Sequence, residues 1–262
     1  MGFSAGRVLG RAVTVFVKNI VPFTLLSLII HAPLIVYAAV LGGGTPNLSS
    51  FQTFVWVERF GTLILGAIVS GAVTFGVFQE LRGTPSSLGQ NMARGLSRVL
   101  SVVGMAIVTG IAIVVAAIPG GIVVALVAAG GSGVGALIAM IVVVGLPAMW
   151  VATVLWVCVP ALVVERIGVG TALNRSQDLT RGRRLSVFVI ALVNFVLGWA
   201  VGWLLQQGAL GGTFSLQTYL VLAEVVAAFL GAFGAVTSAV CYHDLRVATE
   251  GVGTEDLARV FD

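Results

Sequence analysis

Residues 100–128 read LSVVGMAIVTGIAIVVAAIPGGIVVALVA, an apolar run without one charged side chain. A helix rises about 1.5 Å per residue, and crossing a hydrocarbon core of about 30 Å takes roughly 20 mostly apolar residues. The run therefore predicts a membrane-spanning helix with length to spare. Its apolar residues are continuous rather than alternating, which excludes a strand of a closed membrane barrel.

Five further stretches have the same character: 20–41, 60–79, 135–163, 185–206 and 217–242. Polar or Gly-rich breaks join them in pairs: Gly42-Gly43-Gly44-Thr45-Pro46-Asn47, Gly130-Gly131-Ser132-Gly133 and Gly211-Gly212-Thr213. The third and fourth spans exceed the required length, and tilt or a kink at Pro119-Gly120-Gly121 would absorb the excess. Composition agrees. Of 262 residues 58% are apolar and 9% charged, with a mean hydropathy of +1.10, whereas soluble domains carry about 25% charged residues. The composition excludes disorder and collagen, and two Cys are too few for a disulfide-stapled scaffold. The expected fold class is all-α: a polytopic membrane bundle of six transmembrane helices, arranged as three hairpins. Residues 1–262 read as a single integral membrane domain.

The cations orient it. Thirteen of the fourteen Lys and Arg fall on one side of the spans, and only Arg59, beside Glu58, falls on the other. The positive-inside rule then places both termini in the cytoplasm. The first span is too long for a signal-peptide core and reads as a retained helix.

The pattern repeats at roughly 80–85 residues, giving pseudo-repeats of about 1–82, 83–166 and 167–262. Each unit reads as a cytoplasmic amphipathic segment, an outward span and a return span. On a helical wheel Arg7, Arg11 and Lys18 oppose Leu9, Val13, Phe16 and Ile20. In the second unit Gln90, Asn91, Arg94 and Arg98 oppose Leu88, Met92, Leu96 and Val99. In the third, more weakly, Asn174, Arg175, Gln177, Asp178 and Arg181 oppose Val169, Ala172, Ser176 and Leu179. Such helices are expected in the headgroup plane, apolar face down. Each return span ends in an acid near an Arg: Glu80 and Arg82, Glu165 and Arg166, Asp244 and Arg246. One reading is an interfacial stop signal with a local ion pair. The other is a basic rim that contacts anionic headgroups or an acidic partner. On the second reading the contact residues are Arg7, Arg11, Lys18, Arg94, Arg98, Arg175 and Arg181.

The stretch Val159-Pro160-Ala161-Leu162-Val163-Val164-Glu165-Arg166-Ile167-Gly168-Val169, with Ala172-Leu173-Asn174-Arg175-Ser176 and Leu179-Thr180-Arg181-Gly182-Arg183-Arg184 after it, resembles a bacterial family of six-span proteins. So does Tyr242-His243-Asp244-Leu245-Arg246-Val247-Ala248-Thr249-Glu250-Gly251. That family resembles the membrane domain fused to some glycerophosphoryl diester phosphodiesterases and includes many stand-alone proteins of unknown function. The resemblance implies a location in the bacterial inner membrane. It carries over no catalytic residue, because in the fused enzymes hydrolysis belongs to a separate soluble barrel domain. Both matching stretches sit at the inner ends of spans four and six and read as structural signatures.

Chemistry-bearing residues are few. Glu224 lies about seven residues into the last span, on a face with Ala227, Ala228, Gly231, Gly234, Ala235 and Ser238. Small residues mark close helix contact, so this face is expected inside the bundle. The bulky face of Leu222, Val225, Val226, Phe229, Phe233, Val236 and Val240 is then expected toward lipid. An intramembrane carboxylate is a functional hypothesis by default, with a protonated, hydrogen-bonded Glu as the structural alternative. His31, at comparable depth between Pro22 and Pro33, is a candidate partner, and Arg59 a second. Asn194 reads as interhelical glue. Trp56, Trp199 and Trp203 suit the outer interface, while Trp150 and Trp156 read as packing residues. Two His and two Cys, so dispersed, give no metal-ligand spacing. No catalytic residue, cofactor or nucleic-acid partner is expected. The expected function is a non-enzymatic scaffold or accessory subunit contacting the lipid bilayer and a membrane partner or a second copy. The alternative is a small transporter or lipid-handling protein using Glu224.

Overall fold

A computed structural model describes residues 3–43, 48–83, 88–131 and 133–251. The Arg94 side chain, Arg259 and parts of the first two outer breaks (44–47 and 132) lie outside the described residues. The described chain is helical with no strand: α1 (Ala5–Lys18), α2 (Ile20–Gly43), α3 (Leu48–Leu81), α4 (Leu88–Leu96), α5 (Val99–Ala129), α6 (Gly133–Ala139), a π-helical segment (Met140–Gly145), α7 (Leu146–Val154), α8 (Cys158–Val164), α9 (Val169–Thr180), α10 (Arg184–Leu210) and α11 (Leu216–Glu250). Six stretches are long and apolar enough to cross a membrane: Ile20–Gly43, Ser49–Leu81, Val99–Ala129, Gly133–Val164, Arg184–Leu210 and Leu216–Glu250. They pair as three hairpins, and a short separate helix (α1, α4 or α9) precedes each.

Helix α11 is the axis of the bundle. Ser215 caps its start by accepting from the Thr218 amide, and Gly251 ends it in the left-handed region at φ 67°, where a Cβ would be penalised. Around it pack α2, α3, α1 and α10, with α8 and α9 at its inner end. Tyr242, Phe23, Phe78, Leu26 and Ile190 fill the core among these helices. Because α11 is surrounded, its bulky face does not meet lipid as expected. Val236 and Val240 are fully buried, and Phe229 and Phe233 hold the Phe16 ring edge-on at 5.3 and 5.4 Å. On the small-residue face Ala228, Ala235 and Ser238 are buried as expected, whereas Ala227 and Gly231 are exposed.

The fourth span is broken where proline dictates. Pro147 offers no N–H to the Val143 carbonyl four residues back, and the helix before it widens into the π segment, with the Leu146 amide bonded to Ile141 O. Pro160 likewise cannot serve the Trp156 carbonyl, and a turn at 155–157 separates α7 from α8. The freed carbonyls are satisfied from outside. Ser238 Oγ donates to Trp156 O at 2.7 Å, and Ser176 Oγ donates to Val154 O at 2.7 Å. In hydrocarbon an unmet carbonyl costs several kcal/mol, so Ser238 of α11 holds the turn before α8 and Ser176 of α9 holds the end of α7.

The lead helices correct the predicted faces. On α1 the buried residues are Val8, Ala12, Val15 and Phe16, which pack on the bundle, while Val13, Val17 and Ile20 are exposed. The apolar half is thus divided between protein and surroundings, because α1 lies against α11 and α10. On α4 the polar Asn91 is fully buried and the apolar Leu96 is 48% exposed, the reverse of the expectation. The cause is a close crossing: a Cβ on Gly95 would stand 2.6 Å from Ala72 Cβ, so α4 turns its glycine and its neighbours toward α3. On α9 Ala172, Ser176 and Leu179 are buried, and Asn174, Gln177, Asp178 and Arg181 are exposed.

Burial is uneven across the hairpins. In the most apolar window of each span, 33% is buried for Ile20–Gly43, 44% for Ser49–Leu81 and 39% for Leu216–Glu250. The corresponding figures are 6% for Val99–Ala129 and 0% for Gly133–Val164. Helix α6 and the π segment pack on α5, on α7 and on each other. The outer half of this second hairpin stands off the bundle as an arm.

Candidate functional site

Polar groups gather at two levels. At the outer level, Ser27 Oγ of α2 donates to Ala228 O of α11 at 2.7 Å and fixes the register of these antiparallel helices. One turn further out on each lie His31, 2% exposed, and Glu224, 4% exposed. The two therefore occupy one level of one seam. They do not pair: the His31 Nδ1–H donates to Ser27 O in its own helix at 3.0 Å, and Glu224 Oε2 is buried without a hydrogen-bond partner among the described residues. Glu58 of α3 is half-buried. Glu58 accepts from Thr62 Oγ1 at 3.5 Å, and Arg59 points outward, so Arg59 meets neither acid. An enclosed carboxyl with no ion pair among the described residues can hold a proton or receive a cation. Asn194 is not interhelical glue by hydrogen bond. Its Nδ2 donates to Ile190 O at 2.9 Å within α10, and it only abuts α11 beside Gly234.

At the basic end the acids that close the return spans are held by cations of the lead helices. Lys18 of α1 donates to Glu80 at 2.7 Å, Arg11 of α1 to Asp244 at 2.7 Å, and Arg175 of α9 to Glu165 at 2.8 Å. For Asp244 this replaces the local pair with Arg246 that the sequence suggested. Arg246 instead donates to Glu250 at 2.9 Å and lies 3.9 Å from Glu165. Tyr242 donates its hydroxyl to Glu165 at 2.7 Å, and Arg175 also reaches Glu250. Burial opposes the Arg175 charge, but its hydrogen bonds to Glu165 and Glu250 outweigh burial and raise its pKa above the ordinary arginine value. Glu165, Arg175, Tyr242, Arg246 and Glu250 thus form one latch joining the second hairpin, α9 and α11. Sequence reading named its members singly. The two contacts that join its halves, Arg175–Glu250 and Glu165–Tyr242, span 75 and 77 residues, and that distance hid the cluster.

Of the other basic residues, Arg7 and Arg181 are exposed and Arg98 is half-buried. Trp56 and Trp199, each 62% exposed, and Trp203, 48% exposed, face outward. Trp150 does too, at 48%, contrary to its reading as a packing residue. The Arg184 guanidinium lies 5.9 Å from its ring centroid. Where the arm leaves the bundle, a lateral groove of about 360 Å³ opens between α3, α5 and α11, lined by Leu63, Thr109, Cys158, Gly231 and Ser238 among others. Among the described residues no three His, Cys, Asp or Glu converge to hold a metal ion. Comparison with family models, with curated proteins and with solved structures found no match to this chain.

Proposed function

We propose that this chain is a non-enzymatic scaffold or accessory subunit of the bacterial inner membrane, and that the α5–α7 hairpin is its docking arm. The carrying observation is that the outer half of this hairpin packs on no other hairpin, while α2, α3 and α11 form a closed core. In lipid, helix association rests on packing and hydrogen bonds rather than on hydrophobic driving force, so an unpacked apolar hairpin offers a surface that another span can fill. The cations collected at one end support a cytoplasmic placement of that end and of both termini. The resembling stretches, 159–184 and 242–251, supply all five residues of the latch. This supports their reading as a signature of fold in the stand-alone six-span family. Purification from native membranes in a mild detergent should recover a stoichiometric membrane partner or a second copy. Recovery of the chain alone, with deletion altering no complex, would overturn the proposal.

A second reading rests on the enclosed Glu224: a small transporter or lipid-handling protein in which this carboxyl carries a proton or cation. Glu224→Gln in proteoliposomes should then reduce proton-coupled flux at least tenfold. Unchanged flux in Glu224→Gln removes the residue from the mechanism.

A further inference from the structure

The N-terminal helix and the inner end of α11 enclose a cleft of about 220 Å³, lined by Phe3, Arg7, Arg11, His243, Asp244, Val247 and Ala248. A water's share of liquid volume is about 30 Å³, so the space would hold about seven waters. That is the scale of a headgroup and not of a folded partner. Arg11 donates to Asp244 at 2.7 Å, and its Nη1 also lies 3.3 Å from His243 Nδ1. The same Nδ1 lies 3.1 Å from Asp244 Oδ1, so the imidazole stands against the Arg11–Asp244 ion pair and belongs to it. The His243 side chain is 5% exposed, and Nε2 has no hydrogen-bond partner among the described residues. Arg7 is exposed, and among the described residues no ion pair holds it. Two guanidiniums against one carboxylate leave the cleft one net positive charge beside apolar walls.

We propose that this cleft binds the phosphodiester headgroup of an anionic phospholipid. Arg7 and Arg11 supply the charge, His243 and Asp244 hold Arg11 at the cleft wall, and Phe3 and Val247 contact the glycerol and upper acyl carbons. The exposed Val13, Val17 and Ile20 of α1 continue the apolar surface toward the membrane. The ligand carries one negative charge, which matches the cleft. The inference rests on the membrane placement and is independent of the docking arm.

Native mass spectrometry of the delipidated full chain in detergent tests it, with phosphatidylglycerol, phosphatidylcholine and inorganic phosphate as probes. Phosphatidylglycerol should be retained at least fivefold over phosphatidylcholine. Arg7→Gln, and separately Val247→Trp, which fills the cleft, should each remove that preference, while Arg184→Gln, outside the cleft beside Trp150, keeps it. Equal retention of the two lipids, or equal loss in Arg184→Gln, overturns the proposal. Competition by millimolar inorganic phosphate would assign the cleft to a free anion and would equally overturn the lipid assignment.

Discussion

Glu165→Ala should cost the protein about 3 kcal/mol, which lowers its melting temperature in detergent on the order of 10 °C. Glu165 is 18% exposed and accepts from both Arg175 and Tyr242, with Arg246 at 3.9 Å. Its loss leaves the buried Tyr242 hydroxyl without its acceptor and leaves two guanidiniums, Arg175 and Arg246, to share Glu250 alone. Removing one partner of a low-dielectric pair costs more than the pair contributed, because the other charge stays behind. The bond between Glu80 and Lys18 is equally short, but the Lys18 side chain is 70% exposed. Glu80→Ala should therefore cost about 0.5 kcal/mol. Thermal unfolding of both variants, followed by tryptophan fluorescence, checks the order. Equal melting temperatures would show that the latch does not hold the inner end together.

Gly120→Ala should be the most disruptive single-carbon addition in the arm. A Cβ there would stand 2.3 Å from the Val143 carbonyl oxygen and 2.6 Å from its carbon, both backbone atoms of the π segment. Backbone cannot yield as a side-chain end does, so α5 and the π segment are forced apart at a cost of about 1–3 kcal/mol. The neighbouring Gly121 has nothing within 4 Å. Gly121→Ala should accordingly be neutral or slightly stabilising, since Ala is the better helix former. Cysteine cross-linking between α5 and α7 reads the separation directly. An unchanged cross-link in Gly120→Ala would mean the two segments are not seated as described.

The six spans were legible because continuous apolar runs and one-sided cations follow from the membrane itself, and the structure places a helix on each run. The buried position of Glu224 was legible from its small-residue face. The environment of that face was not, because a helical wheel shows which residues share a side but not how many helices surround it. Phe229 and Phe233 look lipid-facing until Phe16 of α1 arrives between them. The latch was hidden for a related reason. Arg246 and Asp244 stand two residues apart, yet Asp244 turns to α1 and Arg246 to Glu165 and Glu250. The break before Pro160 was readable in principle, since a proline in a span frees a carbonyl. The serines that answer it, Ser238 and Ser176, come from other helices and carry no local signal.

The docking arm is the central claim. A photo-cross-linking side chain placed at Ile118, Leu126 or Ile138, all exposed on the arm, can be activated in intact membranes of the native host. The account predicts one adduct of defined mass from the arm positions, corresponding to a second polypeptide or a second copy, and none from Leu204 of α10, exposed elsewhere on the bundle. Adducts to lipid alone from every position, or the same protein adduct from Leu204 as from the arm, would contradict it.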